Sequence, residues 1–226
     1  MKIHPVEQRS LEWMQLRAGI PTASEFDNLV TPKWEIRKGQ TPATYLAKKL
    51  AERWLGGPIA DFNTYDMDQG RILEEEAIPW FELERGVSVI GVGFITTDDG
   101  RVGCSPDGLI GDHSGIEIKC PAVHTHIGYA LVGKLPDDYA AQVQGSLYVT
   151  GRQSWTFLSY HRRLPALLLF IEPDAKAQAA LREALEQFLA KLEEGWNKLC
   201  EMNGGPPIRK AATLPQPEPE YQDIIP

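Results

Sequence analysis

Apolar residues recur along this chain in two rhythms. Near the C-terminus Leu181, Leu185, Phe188, Leu189, Leu192, Trp196 and Leu199 follow three- and four-residue steps, which predicts a long amphipathic helix. Asp174 stands where its N-cap belongs. Residues 42–55 read as another helix, with Thr41 as N-cap and Gly56-Gly57 as its stop. A helix is also expected from residue 65 to about 78, where Pro79 should end or kink it. A further helix opens at Leu135-Pro136-Asp137-Asp138 and runs to about residue 149. Strand patterns cover residues 87–96, 155–160 and 166–171. Residues 104–110 and 115–120 read as the two arms of a hairpin, with turn formers between them from Gly111 to Gly115. This order of elements predicts a single mixed α/β domain over residues 1–203. Residues 204–226 carry Pro215, Pro217, Pro219 and Pro226 and read as a tail, extended or docked on a neighbour.

Composition narrows the setting. The 226 residues suffice for one sizeable core. No run of eighteen apolar residues occurs and the N-terminus lacks an apolar signal core, so a cytoplasmic protein without a membrane partner is expected. Three scattered cysteines make no disulfide framework. The net charge of −8 argues against avid nucleic-acid binding. Its distribution softens that objection, because residues 61–112 alone hold twelve Asp/Glu against three Lys/Arg. Bound cations would offset part of this charge.

The most informative chemistry lies at the end of this acidic stretch and just beyond it. In the hairpin, strand alternation puts Glu117 and Lys119 on one face and turns Ile116 and Ile118 into the core. Reversal of the chain can return Asp107 to the edge of Glu117. Two carboxylates, helped by the Ile118 backbone carbonyl, suit Mg2+ or Mn2+ rather than Zn2+. Lys119 would orient or deprotonate a water beside a phosphodiester. On spacing alone, a surface hairpin with solvated charges is the alternative. Glu74 shares a helical stripe with Gly70, Ala77 and Phe81, which points it inward, while Glu75 and Glu76 lie off the stripe and read as solvated. It could equally be one exposed member of a Glu run.

Upstream, Thr22-x-x-Glu25 has capping-box spacing. A helix starting there, with Ser24 in its first turn and Arg17 before it, would suit a phosphate. An ordinary cap with an exposed Arg fits the residues as well. Gln142 and Gln144 lie on one predicted helix and can face a site or solvent. Cys120, His124 and His126 match no common zinc spacing. Trp13, Trp54, Trp80 and Trp196 read as core. Trp34, in a loop with Lys33, Arg37 and Lys38, could touch DNA or a subunit.

Taken in order, these pieces resemble the lambda-type alkaline exonuclease family of the PD-(D/E)XK nucleases. The matching stretches run from Glu12-Trp13 through Arg17-Ala18-Gly19 to Thr22-Ala23-Ser24, then Gly70 to Glu74 with Ala77. They continue with Ser105-Pro106-Asp107-Gly108, Glu117-Ile118-Lys119, and Tyr139 to Gln144 with Val149-Thr150-Gly151. The resemblance implies a restriction-endonuclease-like core, a central mixed sheet flanked by helices. It implies that Asp107, Glu117 and the Ile118 carbonyl bind two Mg2+ ions, with Mn2+ substituting. Glu74 would add an acidic group, Lys119 would act on the water and Gln142 would complete the site. Arg17 and Ser24, with Thr22, would hold the 5′-phosphate of a double-stranded DNA end. The implied reaction is 5′→3′ digestion of one strand to mononucleotides, leaving a 3′ single strand. A homotrimeric ring and a single-strand annealing protein in phage recombination are the implied partners. An endonuclease of the same superfamily and a catalytically inactive DNA-binding scaffold are the alternatives.

Overall fold

A computed structural model describes residues 1–59 and 65–207, with residues 65–72 described by their backbone alone. Most of the segment expected to form a tail, residues 208–226, lies outside the described residues. Among the described residues, eight strands form two sheets. The larger has the order β2 (Val89–Ile90), β5 (Gly108–Ile110), β6 (Ser114–Lys119), β7 (Ser154–Ser159), β8 (Leu167–Ile171). All its pairings are antiparallel except β6 with β7, which run parallel with Glu117 opposite Phe157. A parallel pair needs a crossover, and this one carries two helices, α4 (Val123–Val132) and α5 (Asp137–Thr150). The smaller sheet joins β1 (Lys2–His4), β3 (Phe94–Thr96) and β4 (Gly103–Cys104), all antiparallel.

Two apolar clusters sandwich the large sheet. On one face Ala77 and Phe81 of α3 (Tyr65–Arg85) pack on Ile116, Ile118, Leu158 and Tyr160. On the other, Trp155 and Phe157 meet Val143 and Leu147 of α5 and Leu181, Leu185 and Phe188 of α6 (Ala175–Asn203). The Asp174 side chain accepts the Ala177 N–H at 2.7 Å, the N-cap expected there. These layers make a single mixed α/β domain, as the element order predicts.

Several expectations are corrected. Helix α3 does not end at Pro79 but continues to Arg85. Pro79 lies on the exposed side, and burial of Ala77 and Phe81 on either side of it holds the helix together across the missing N–H. Helix α2 (Gln40–Leu55) starts two residues early, with Gly39 at φ +83° as its N-cap and Thr41 inside the first turn. The strand expected over 87–96 is two strands in different sheets, broken between Ile90 and Phe94. The N-terminal segment crosses there so closely that a Cβ on Gly93 would sit 1.8 Å from the Val6 carbonyl oxygen. The hairpin exists, but its first arm starts at Gly108, and Cys104 belongs to the smaller sheet. Ahead of it, Thr22 opens a six-residue 3-10 helix, Ala23–Asn28, without the reciprocal bonds of a capping box. Three elements are not anticipated by the sequence pattern: β1, α1 (Leu11–Arg17) with Ser10 as its N-cap, and α4.

Candidate active site

Strand β6 divides its side chains as alternation requires. Ile116 and Ile118 are fully buried against α3, and Glu117 and Lys119 face α5. Glu117 is only 2 % exposed. Its Oε1 accepts Lys119 Nζ at 2.6 Å and Gln142 Nε2 at 2.6 Å. Its Oε2 is buried and has no hydrogen-bond partner among the described residues. Asp107, just before β5, accepts the Ile118 backbone N–H at 2.6 Å, which joins the two arms at the carboxylates. Glu74, Asp107 and Ile118 line one cleft of about 400 Å3 together with Gln8 and Arg9. Arg9 pairs with Glu74 at 3.3 Å.

Burial pushes the Asp107 carboxyl well above the usual range, and the Glu117 charge adds to it against the pull of Lys119. Burial likewise raises Glu117, although Lys119 opposes. Burial would lower Lys119, but Glu117 and Asp107 outweigh it and hold its pKa above that of an ordinary lysine. Two like charges crowded together, one with an orphaned oxygen, fit a divalent cation. No group of three His, Cys, Asp or Glu side chains among the described residues is arranged for a metal. A pair of carboxylates is what Mg2+ ordinarily takes from protein, the remaining oxygens coming from water and phosphate.

Arg17 stands at the end of α1 and joins this wall directly. Its Nη1 donates to Ser105 Oγ at 2.8 Å, and its Nη2 reaches Thr22 Oγ1 and Ser24 Oγ, each at 3.4 Å. The guanidinium lies over the Trp13 ring at 4.2 Å. Trp13 Nε1 donates to the same Ser105 hydroxyl at 2.9 Å and to the Gly93 carbonyl at 3.1 Å. Burial lowers the Arg17 pKa, with Glu25 opposing. Ser24 is exposed, whereas Thr22 is 0 % exposed and donates to Glu25 Oε2 at 3.3 Å. Thr22 therefore backs Arg17 and Ser24 from inside. Behind it, Lys49 pairs with Glu25 at 2.7 Å and Glu52 at 3.0 Å, and Glu52 accepts the Gly19 N–H at 3.0 Å. A further support is Gly145 of α5, where a Cβ would lie 2.5 Å from the Phe26 ring.

The structure thus brings Asp107, Glu117, Ile118, Lys119 and Gln142 together, lines the same cleft with Glu74, and ties Arg17, Ser24 and Thr22 to it through Ser105. Sequence reasoning misses Trp13, Ser105 and Gln8. Trp13 reads as core from its composition, yet it lies four residues before Arg17, on the same face of α1, a spacing that announces contact. Gln8 Nε2 donates to the Pro106 and Val92 carbonyls, each at 2.8 Å. Other expectations resolve elsewhere. Gln144 is buried, donating to the Glu172 carbonyl and accepting the Asp174 N–H. Fully buried His126 donates from Nε2 to the Pro165 carbonyl at 3.0 Å and turns Nδ1 to the Ser159 hydroxyl. Trp34 packs partly buried against the main core instead of standing off its loop.

The sequence profile of the YqaJ-like viral recombinase domain matches residues 12–153, a span that holds every one of the predicted site residues. The chain belongs to the YqaJ-like viral recombinase family. Within solved structures, this family member is similar to LHK-Exo, an alkaline exonuclease from Laribacter hongkongensis. The LHK-Exo complex with dAMP is 33% identical, covers 86% of this chain and 98% of its own, and superposes with a TM-score of 0.78. A second LHK-Exo structure gives 32% identity and the same TM-score. A phage-related exonuclease from Haemophilus somnus 129PT shares the fold, with a TM-score of 0.60 at 12% identity over 80% of this chain and 96% of that one. No curated protein sequence matches. The resemblance to the lambda-type alkaline exonucleases, and the fold it implies, therefore hold. No helix of the described residues is long and apolar enough to cross a membrane.

Proposed function

We propose that this protein is a Mg2+-dependent exonuclease that digests one strand of linear double-stranded DNA 5′→3′ to mononucleotides. The observation that carries the reading is the 2.8 Å bond between Arg17 and Ser105, two residues before Asp107. It makes an anion-binding pocket and a carboxylate pair adjoining parts of one wall. The 33% identity to an exonuclease held with a mononucleotide supports the same chemistry.

Asp107, Glu117 and the Ile118 carbonyl are the groups that would hold Mg2+, with Mn2+ a substitute and two ions the expected complement. When bound, the metal polarises the phosphodiester and lowers the pKa of water. Gln142 fixes one oxygen of Glu117 and leaves the other to the site. Lys119, whose pKa Glu117 and Asp107 hold up in the metal-free site, donates a hydrogen bond and positive charge to the reacting phosphate. Arg17 and Ser24 receive the 5′-phosphate, with Thr22 and Glu25 fixing them from behind. Glu74 adds an acidic group at the mouth. A 3′ single strand remains, a substrate for an annealing protein in recombination, and a homotrimeric ring would keep the enzyme on its duplex.

The test is digestion of linear duplex with a 5′-phosphate or a 5′-hydroxyl, each strand labelled in turn, with Mg2+ or EDTA. Label should leave the 5′ end first, and only with Mg2+. Arg17→Ala should slow the phosphorylated substrate at least about tenfold, the scale of one lost charge-assisted bond, and leave the hydroxyl substrate nearly unchanged. Release from the 3′ end, or equal digestion of a covalently closed circle, would overturn the reading.

A further inference from the structure

Arg9 is one of two non-glycine residues with positive φ among the described residues, at +69°. Both its neighbours are anchored. Gln8 is clamped to the Val92 and Pro106 carbonyls, and Ser10 caps α1 by accepting the Trp13 N–H at 3.1 Å. The chain must turn sharply between them, and glycine makes such a turn without strain. An arginine stands there instead. Backbone strain at a cleft is a pointer to function when the side chain has a use for the position.

The cleft gives it one. Among the described residues its charged lining consists of Glu7, Glu74, Glu75, Asp107 and Arg9, four carboxylates and a single cation. Lys119, a cation on the neighbouring strand, pairs with Glu117. A phosphodiester entering this cleft adds negative charge to an acidic wall. The arginine is 56 % exposed and spends one of its five N–H donors on Glu74, at 3.3 Å. An exposed pair of that kind contributes little and is exchanged readily. A phosphate takes a guanidinium in a fork of two bonds.

We propose that Arg9 is a substrate-binding residue, which trades Glu74 for a phosphodiester of the duplex at the mouth of the carboxylate cleft. The inference rests on the nuclease reading above. Removing Arg9 should weaken DNA binding while relieving its backbone.

The experiment compares the parent with Arg9→Gly and Arg9→Lys. Binding to a labelled linear duplex is titrated over a range of KCl without divalent metal, alongside thermal melting and KM in Mg2+. Arg9→Gly should melt at or above the parent, bind about tenfold more weakly, and lose roughly 0.9 from the salt slope, one phosphate contact on B-form DNA. Its KM should rise by a similar factor, and Arg9→Lys should recover part of the loss. Parental affinity and slope in Arg9→Gly would reduce Arg9 to a partner of Glu74 and overturn the proposal. Should Arg9→Gly melt below the parent, Arg9→Lys decides the matter. It keeps the fold and must still bind more weakly, and parental binding by it would overturn the proposal. A parent that neither binds nor digests linear duplex overturns the nuclease reading itself, a result distinct from parental behaviour in the variant.

Discussion

Glu117 holds two hydrogen bonds on one oxygen and none on the other, within a wall that also crowds Asp107 against it. Such a site costs stability, and a bound cation would relieve it. Asp107→Asn keeps the shape, and its amide oxygen can still accept the Ile118 N–H. Without metal, this variant should be more stable than the parent, by about 1 kcal/mol for one relieved like-charge contact. That is roughly 2–4 °C in melting temperature for a chain of this size. Nucleotide release should be abolished. Melting in EDTA and digestion in Mg2+ check the two halves, and a variant that melts lower in EDTA would refute the crowding. The carboxylates and lysine are legible in the sequence because strand alternation and a short turn fix their relation within fifteen residues. Ser105 is not, because its role depends on Trp13 and Arg17, some ninety positions away, arriving on a separate helix.

Elements set how closely those residues approach. Helix α5 carries Gln142 to Glu117, and it packs against the 3-10 helix that carries Ser24. Gly145 lets the two meet: a Cβ there would also lie 3.1 Å from the Ala23 Cβ. Gly145→Ala should therefore destabilise the fold by about 1–3 kcal/mol, the usual range for overpacking, despite alanine's better helix propensity. It should also blunt the preference for 5′-phosphorylated ends. Urea denaturation and the ratio of rates on the two ends measure this; a stabilised variant would show that the helices can yield. Periodicity identifies α2 and α6 because each buries one stripe, and the apolar runs of β7 and β8 mark strands that contribute to the clusters on both faces of the sheet. Periodicity fails where long-range contacts override local pattern. Pro79 sits mid-helix because Ala77 and Phe81 anchor both sides of it. The strand over 87–96 divides because a distant segment crosses at Gly93. Helix α4 has its apolar stripe, Val123, Ile127 and Leu131, turned outward, and the side chain it buries is the polar His126.

Across the whole molecule, charge is sorted so that an acidic cleft and a cationic pocket share a wall. The pocket rests on Glu25, whose carboxyl burial would raise but which Lys49 and Lys48 hold below its ordinary value. An unfolded Glu25 binds its proton at higher pH than the folded one. Stability from this group is therefore complete above the ordinary carboxyl pKa and is lost as pH falls through the lowered folded value. The parent should lose stability on acidification below about pH 4.5 more steeply than Glu25→Gln. Denaturation midpoints across that range decide it, and equal slopes would remove Glu25 from the acid response. Net charge alone argues against DNA; its uneven distribution along the chain softens that argument, and its placement in three dimensions weakens it further.

The parallel seam between β6 and β7 has a consequence for quality control. Side chains on a strand change sides with every residue, so a seam closed one position out of step would drive Glu117 and Lys119 in among Ala77 and Phe81 and turn Ile116 and Ile118 toward water. No such conformer could survive. A molecule that misses the alignment would remain unfolded chain, and could not act as an impostor that occupies the proposed DNA end without cutting it.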